Sequence, residues 1–130
     1  MSYDLDQIKC ESKDEGADMP VLHPVTLEPI KDETGNPAII RLAGMDSAIY
    51  RKAANSIANR RTKGNRPTKM TAERFEADSL ELICKCTLAW SNLVIGGKVP
   101  KTPEEIYEGR KWLKEQADQW IHDRANYLGN

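Results

Sequence analysis

Two histidines, three cysteines and one run of basic residues are the parts of this sequence that could do chemistry. His23 stands beside Pro24 in a turn, and His122 falls on the polar side of a C-terminal helix. Neither has a cysteine or a paired carboxylate at the spacing of a zinc site. Cys84 and Cys86 are two positions apart, so on a helix their side chains diverge by roughly 200°. They can neither bridge each other there nor share a metal. Free thiols, buried in a reducing compartment, are the simpler expectation, and Cys10 stands apart from both. No serine sits in a nucleophile elbow. Gly96-Gly97 lacks the spacing and the following helix of a phosphate-cradling loop. Glu104 and Glu105 suit the first turn of a helix, where the dipole favours acids, better than acid–base work. The expectation is a protein that is not an enzyme and holds no cofactor or metal.

The charges are segregated. Residues 1–46 carry ten acids against four bases, whereas residues 47–69 carry seven bases (Arg51, Lys52, Arg60, Arg61, Lys63, Arg66, Lys69) and no acid. The formal net charge is only -1, so the whole molecule is not drawn to nucleic acid or to a membrane. The basic segment alone could neutralise phosphates. It has no interleaved aromatic for base stacking, which disfavours nucleic acid as the partner. A solvated loop, or a contact with an acidic arm, is the plainer reading. Arg60, Arg61 and Arg66 are the candidate contact residues in this region.

The elements that position these residues follow from periodicity. Residues 1–18 form an acidic arm, and 19–130 read as a single α+β domain, mostly α. Pro20, Pro24 and Pro29 forbid a helix after Met19 and favour short extended pieces. Gly35-Asn36-Pro37 marks a turn, and Ala38–Leu42 has the β-branched content of a strand. A small antiparallel sheet of two or three strands over about 18–42 is predicted. Asp46 is the expected N-cap of a helix over about 47–61. A loop follows, with Thr68 or Thr71 capping the next helix, over about 69–92.

That helix is the centre of the chain. At about 100° per residue, Phe75, Ser79, Leu82, Ile83, Cys86, Ala89, Trp90 and Leu93 form a broad apolar stripe. Leu80, Cys84 and Leu88 form a narrower one opposite. A helix apolar on two sides is packed on two sides, either in its own core or against a partner. Leu80, Cys84 and Leu88, with Trp90 at the end, are therefore the candidate partner groove. Thr102-Pro-Glu-Glu105 opens a short helix over about 103–108. Gly109 bends the chain, and a last helix runs over about 110–128. No apolar run reaches the roughly 18 residues of a membrane span, and no signal peptide pattern opens the chain. A soluble protein in the cytoplasm of the cell that makes it is expected, with no membrane partner.

Four short segments carry a resemblance. Met19-Pro-Val-Leu-His-Pro-Val-Thr26 resembles an "hP-x-T-G-x-P" opening. Ile39-Ile-Arg-Leu-Ala-Gly-Met-Asp-Ser47 with Tyr50-Arg51 resembles "i-x-l-x-G-x-D-S-x-x-y-r". Cys86–Trp90 with Gly96-Gly97 and Pro100 resembles a tryptophan–glycine segment. Asp123-Arg-Ala-Asn-Tyr-Leu128 resembles "d-r-x-n-F-l". In this order they resemble the tail assembly chaperones of long-tailed bacteriophages. Leu27 stands where the family has a turn glycine, and Tyr127 where it has phenylalanine. The first 18 residues are not covered. The resemblance implies a non-enzymatic protein in the host cytoplasm that coats the helical tape measure protein while the tail tube assembles. The tail tube protein is a further implied partner, a homo-oligomer is compatible, and related genes often yield a longer frameshifted product. The alternatives are a small structural virion protein of the tail or head–tail region, and, less favoured, a nucleic-acid-binding regulator using segment 51–69.

Overall fold

The computed structural model describes residues 2–7, 15–62 and 71–128. Three strands and four helices appear among them: β1 (Ala17–Pro20), β2 (Ile39–Leu42), α1 (Ala48–Thr62), α2 (Ala72–Cys86), β3 (Thr87–Ser91), α3 (Pro103–Tyr107) and α4 (Lys111–His122). The expected class, α+β and mostly α, is what the chain adopts. The strands form one antiparallel sheet in the order β1-β2-β3.

β1 and β2 pair with Met19 opposite Ile40, joined by an irregular excursion through residues 21–38. Within it His23 N–H donates to Glu28 O and Leu27 N–H donates to His23 O, closing a tight turn. Gln116 of α4 then clamps the excursion: its amide donates to Leu22 O at 2.7 Å and accepts from Leu22 N–H at 3.0 Å.

The third strand lies outside the range of 18–42 predicted for the sheet. The helix predicted over 69–92 ends at Cys86, and Thr87–Ser91 turns directly into β3 beside β2. Thr87 makes the break. Its hydroxyl donates to Ile83 O, one turn back, and is in hydrogen-bond contact with the buried Tyr107 hydroxyl, both at 2.8 Å. β2 gains a partner on its open side, and the ladder compensates the backbone bonds the helix gives up. The sheet is therefore built from both ends of the helical hairpin, not from residues 18–42 alone.

The helix caps follow local chemistry. Thr71 accepts from Arg74 N–H and starts α2; Thr102 accepts from Glu105 N–H and starts α3, with Pro103 at the first helical position. Gly109, at φ 72°, makes the bend before α4. Two boundaries differ from expectation. Ser47, not Asp46, caps α1, accepting from Tyr50 N–H at 3.1 Å. The last helix stops at His122, and residues 124–127 form a 3₁₀ turn.

α2 and α4 lay their apolar sides over one face of the sheet. Ile40 and Leu42 from β2, Ile83 and Cys86 from α2, Ile106 from α3 and Ala117 and Ile121 from α4 are almost fully buried. The alternation in β2 is the period of a half-buried strand: Ile40 and Leu42 inward, Arg41 outward and paired with Asp18 at 2.9 Å.

Candidate functional site

The groups that could do chemistry have structural tasks. His23 Nδ1 accepts from the N–H groups of Val25 and Thr26, so it holds its own turn. His122 Nδ1 lies 2.8 Å from Asp118 O, and its Nε2 lies 3.1 Å from the Tyr50 hydroxyl, tying α4 to α1. With Nδ1–H donating to the carbonyl, Nε2 accepts from Tyr50. Burial pushes the Tyr50 hydroxyl above its ordinary value, the wrong direction for a nucleophile. Among the described residues no group of three His, Cys, Asp or Glu side chains could hold a metal ion.

Cys84 and Cys86 are free and buried, and desolvation pushes both thiols up to about 12. Against an ordinary cysteine that is on the order of a thousandfold less thiolate. Both are expected to resist iodoacetamide at mildly alkaline pH in the native protein and to react at ordinary rates in urea. Peptide mass spectrometry of the two forms checks this; equal labelling of native and unfolded chain would refute it.

The stripe expected to form a partner groove does not lie open. Cys84 is only 6% exposed and belongs to the core. Leu80 and Leu88 are half-buried against it, and Leu88 is no longer helical. The reason is the strand at 87–91: it carries Leu88 and Trp90 off the helix and against the sheet. The Trp90 indole N–H donates to Pro100 O at 3.1 Å, which anchors the following loop. Arg60 is engaged within the chain, donating to Glu81 and Asp78 of α2 at 3.0 and 3.4 Å. Arg61 lies in the last turn of α1, and its side chain, like all of Arg66, lies outside the described residues.

Exposed apolar surface lies elsewhere. Ile30, Leu93, Val94 and Val99 line an open groove of about 610 Å³ between the turn at 31–37 and the loop that follows β3. Val94 and Val99 are 59% and 66% exposed. Asp32 sits on the rim; its carboxylate accepts from Thr34 and Asn36, which holds it below its ordinary value. Across the groove, Asn92 donates to Pro37 O at 2.9 Å and fixes one loop to the other. Ile95-Gly96-Gly97-Lys98 is a tight two-residue turn with both glycines at positive φ and reciprocal bonds between Ile95 and Lys98. Periodicity did not reveal this site, because its apolar residues come from two irregular segments. The available signal was the apolar run Leu93-Val94-Ile95 before a Gly-Gly turn, with Val99 after it.

The residues behind the resemblance meet in space. Arg124 donates to both oxygens of Asp46, at 2.6 and 3.1 Å. The Tyr127 ring lies against Gly44, where an added Cβ would come within 2.8 Å of it, and its hydroxyl donates to Leu42 O at 3.0 Å. Met45 N–H donates to Ile121 O. Ser47 Oγ donates to Gly44 O at 2.7 Å while capping α1. Segments 44–47 and 123–127 thus form one latch that fastens the chain after α4 to the start of α1.

Among the described residues Leu27 is one of two other than glycine with a positive φ. Its φ is 61°, the left-handed conformation that favours glycine, and its side chain is 66% exposed. Leu27→Gly is expected to stabilise the protein by about 1 kcal/mol, because it relieves that backbone and removes little packing. Urea titration measures it; a loss of stability would show that the Leu27 side chain has a contact worth more than the strain.

The latch carries a pH dependence. Hydrogen bonds from Arg124, then its charge, hold the Asp46 carboxyl below its ordinary value, with burial opposing. That stabilisation is complete above the unfolded value, near 3.9, and is lost as the pH falls through the lower folded value. Arg124 is more than half exposed, so the pair contributes about 1 kcal/mol at most. Asp46→Asn is expected to lower stability by that amount at neutral pH, and the difference from wild type should shrink in strong acid. Denaturant titrations at neutral pH and near pH 3 compare the two. An unchanged difference would mean the pair is not its source.

The chain matches no protein-family model, no curated protein and no solved structure.

Proposed function

We propose that this protein is a tail assembly chaperone of a long-tailed bacteriophage, acting without catalysis on the tape measure protein. One observation carries the reading: the residues that resemble the family's motifs occupy positions where the fold needs them. Gly44, Asp46 and Ser47 meet Arg124 and Tyr127 in one latch. Leu27, in the place of the family's turn glycine, has a glycine's backbone conformation.

The contact surface in this reading is the groove of Ile30, Leu93, Val94 and Val99. A groove with an apolar floor and a polar rim receives the apolar side of an amphipathic helix, and a tape measure protein is a long helical chain with such sides to cover. Arg60, Arg61 and Arg66 form a second contact region in the proposal, with the tail tube protein as a further partner.

Co-expression with the tape measure protein of the same phage, followed by pull-down and size-exclusion chromatography, tests the proposal. A soluble complex is expected, with the tape measure protein insoluble alone, and Val94→Asp with Val99→Asp should weaken it without unfolding the chain. Absence of any complex, with this chain present in purified virions, would replace the proposal with a structural virion protein.

A further inference from the structure

The two edges of the sheet are not alike. β1 ends in Pro20, which has no N–H to offer, and carries the charged Asp18. The chain beyond it is held at both backbone groups of Leu22 by Gln116. Proline, charge and cover are the usual guards of a strand edge. β3, Thr-Leu-Ala-Trp-Ser, has no proline and no charged side chain.

Among the described residues no strand pairs with its outer side. Val21 N–H donates to Ala38 O, and Val21 and Ala38 continue the β1–β2 register by one pair. Pairing alternates along an antiparallel ladder, so Ile40 and Leu42 direct their backbone groups to β1, and Ile39 and Arg41 direct theirs to β3. Trp90 lies opposite Ile40 and consequently turns its own N–H and C=O away from β2. Among the described residues neither group has a hydrogen-bond partner; only the Trp90 indole does, on Pro100.

We infer that β3 pairs antiparallel with β3 of a second copy across a two-fold axis, joining two sheets into one. The Trp90 N–H and C=O of each copy supply the central bonds of that pairing. The occupant of this edge must be short, because Asn92, at φ 61°, turns the chain away immediately after Ser91. It must also bring no unpaired charge. A second β3 meets both conditions and fits itself. On the exposed face Ala89 and Ser91 are small enough to lie side by side, while Trp90, on the face of Ile40, extends the apolar side across the axis.

The charges permit it. Arg41 is the charged residue paired directly with β3, and Asp18 neutralises it at 2.9 Å. In the joined sheet the two Arg41 residues would stand three strand spacings apart, about 14 Å. That exceeds the screening length of about 8 Å at physiological salt. No like charges meet at the edge. The inference does not depend on the chaperone reading: the edge is present whatever the partner, and either can fail alone.

Sedimentation equilibrium of the full chain over a wide concentration range is the test. The apparent mass is expected to rise from 14.7 kDa towards twice that value. Ala89→Lys with Ser91→Lys places lysines against each other across the axis while leaving them solvated in a single copy. That variant should keep the wild-type circular dichroism and read as a monomer throughout. Hydrogen exchange on the wild-type chain is the second measurement: the Trp90 amide should exchange more slowly as concentration rises. A wild-type monomer at every concentration, a dimer indifferent to the two lysines, or a Trp90 amide whose exchange ignores concentration would each overturn the inference.

Discussion

Tyr127→Ala is expected to cost about 3–5 kcal/mol, a large share of the 5–15 kcal/mol that holds a typical domain folded. Tyr127 is only 4% exposed although it lies near the end of the described chain. Its ring fills the space above Gly44, and its hydroxyl reaches Leu42 O on the middle strand. Alanine would open a cavity between the last turn and the sheet and leave the latch with Arg124–Asp46 alone. Tyr127→Phe keeps the ring and loses one hydrogen bond, so about 1 kcal/mol is expected. Gly44→Ala pushes a Cβ into the same ring and should resemble Tyr127→Ala more than Tyr127→Phe. Thermal and urea unfolding of the three variants rank them. A Tyr127→Ala protein as stable as Tyr127→Phe would mean that the ring is not what fastens the segment.

Ile40→Ala is the second large effect, about 2–5 kcal/mol. Ile40 is fully buried in the middle strand, with Met19 and Trp90 as its cross-strand neighbours, so its removal opens a cavity beneath both outer strands. The adjacent Ile39 points to the other face and is half-buried. Ile39→Ala is expected to cost less than about 1.5 kcal/mol. Measured side by side, the two substitutions read the strand's alternation directly. Equal costs would contradict the assigned faces.

The legible parts of this sequence were those whose cause is local. Thr71 and Thr102 cap the helices they precede, Gly109 bends the chain, and Ala38–Leu42 supplies a strand, because a hydroxyl, a missing Cβ or a β-branched run acts within a few residues. The third strand was illegible because Cys86–Leu93 satisfies a helical period as well as a strand. What decides it is distant: Tyr107, twenty residues on, bonds Thr87, and the open side of β2 offers a ladder. Asp46 is the cap that local chemistry suggests. Arg124, 78 residues away, takes Asp46 and leaves the cap to Ser47. The candidate groove was hidden for the same reason. Ile30 and Val94 have no shared period and become neighbours only when two loops are tied together by Asn92 and Pro37.

The position of β3 in the chain has a consequence for biosynthesis. During translation β1 and β2 emerge first, and a two-stranded ribbon is marginal in water. The sheet gains its third strand only after the whole of α1 and α2 has been made, and the latch closes only once Tyr127 is out. Until then Ile40 and Leu42 have no lasting cover. The nascent chain therefore passes through a stage in which its most apolar strand is on show, and the ribosome-bound form should be far more sensitive to protease than the released one.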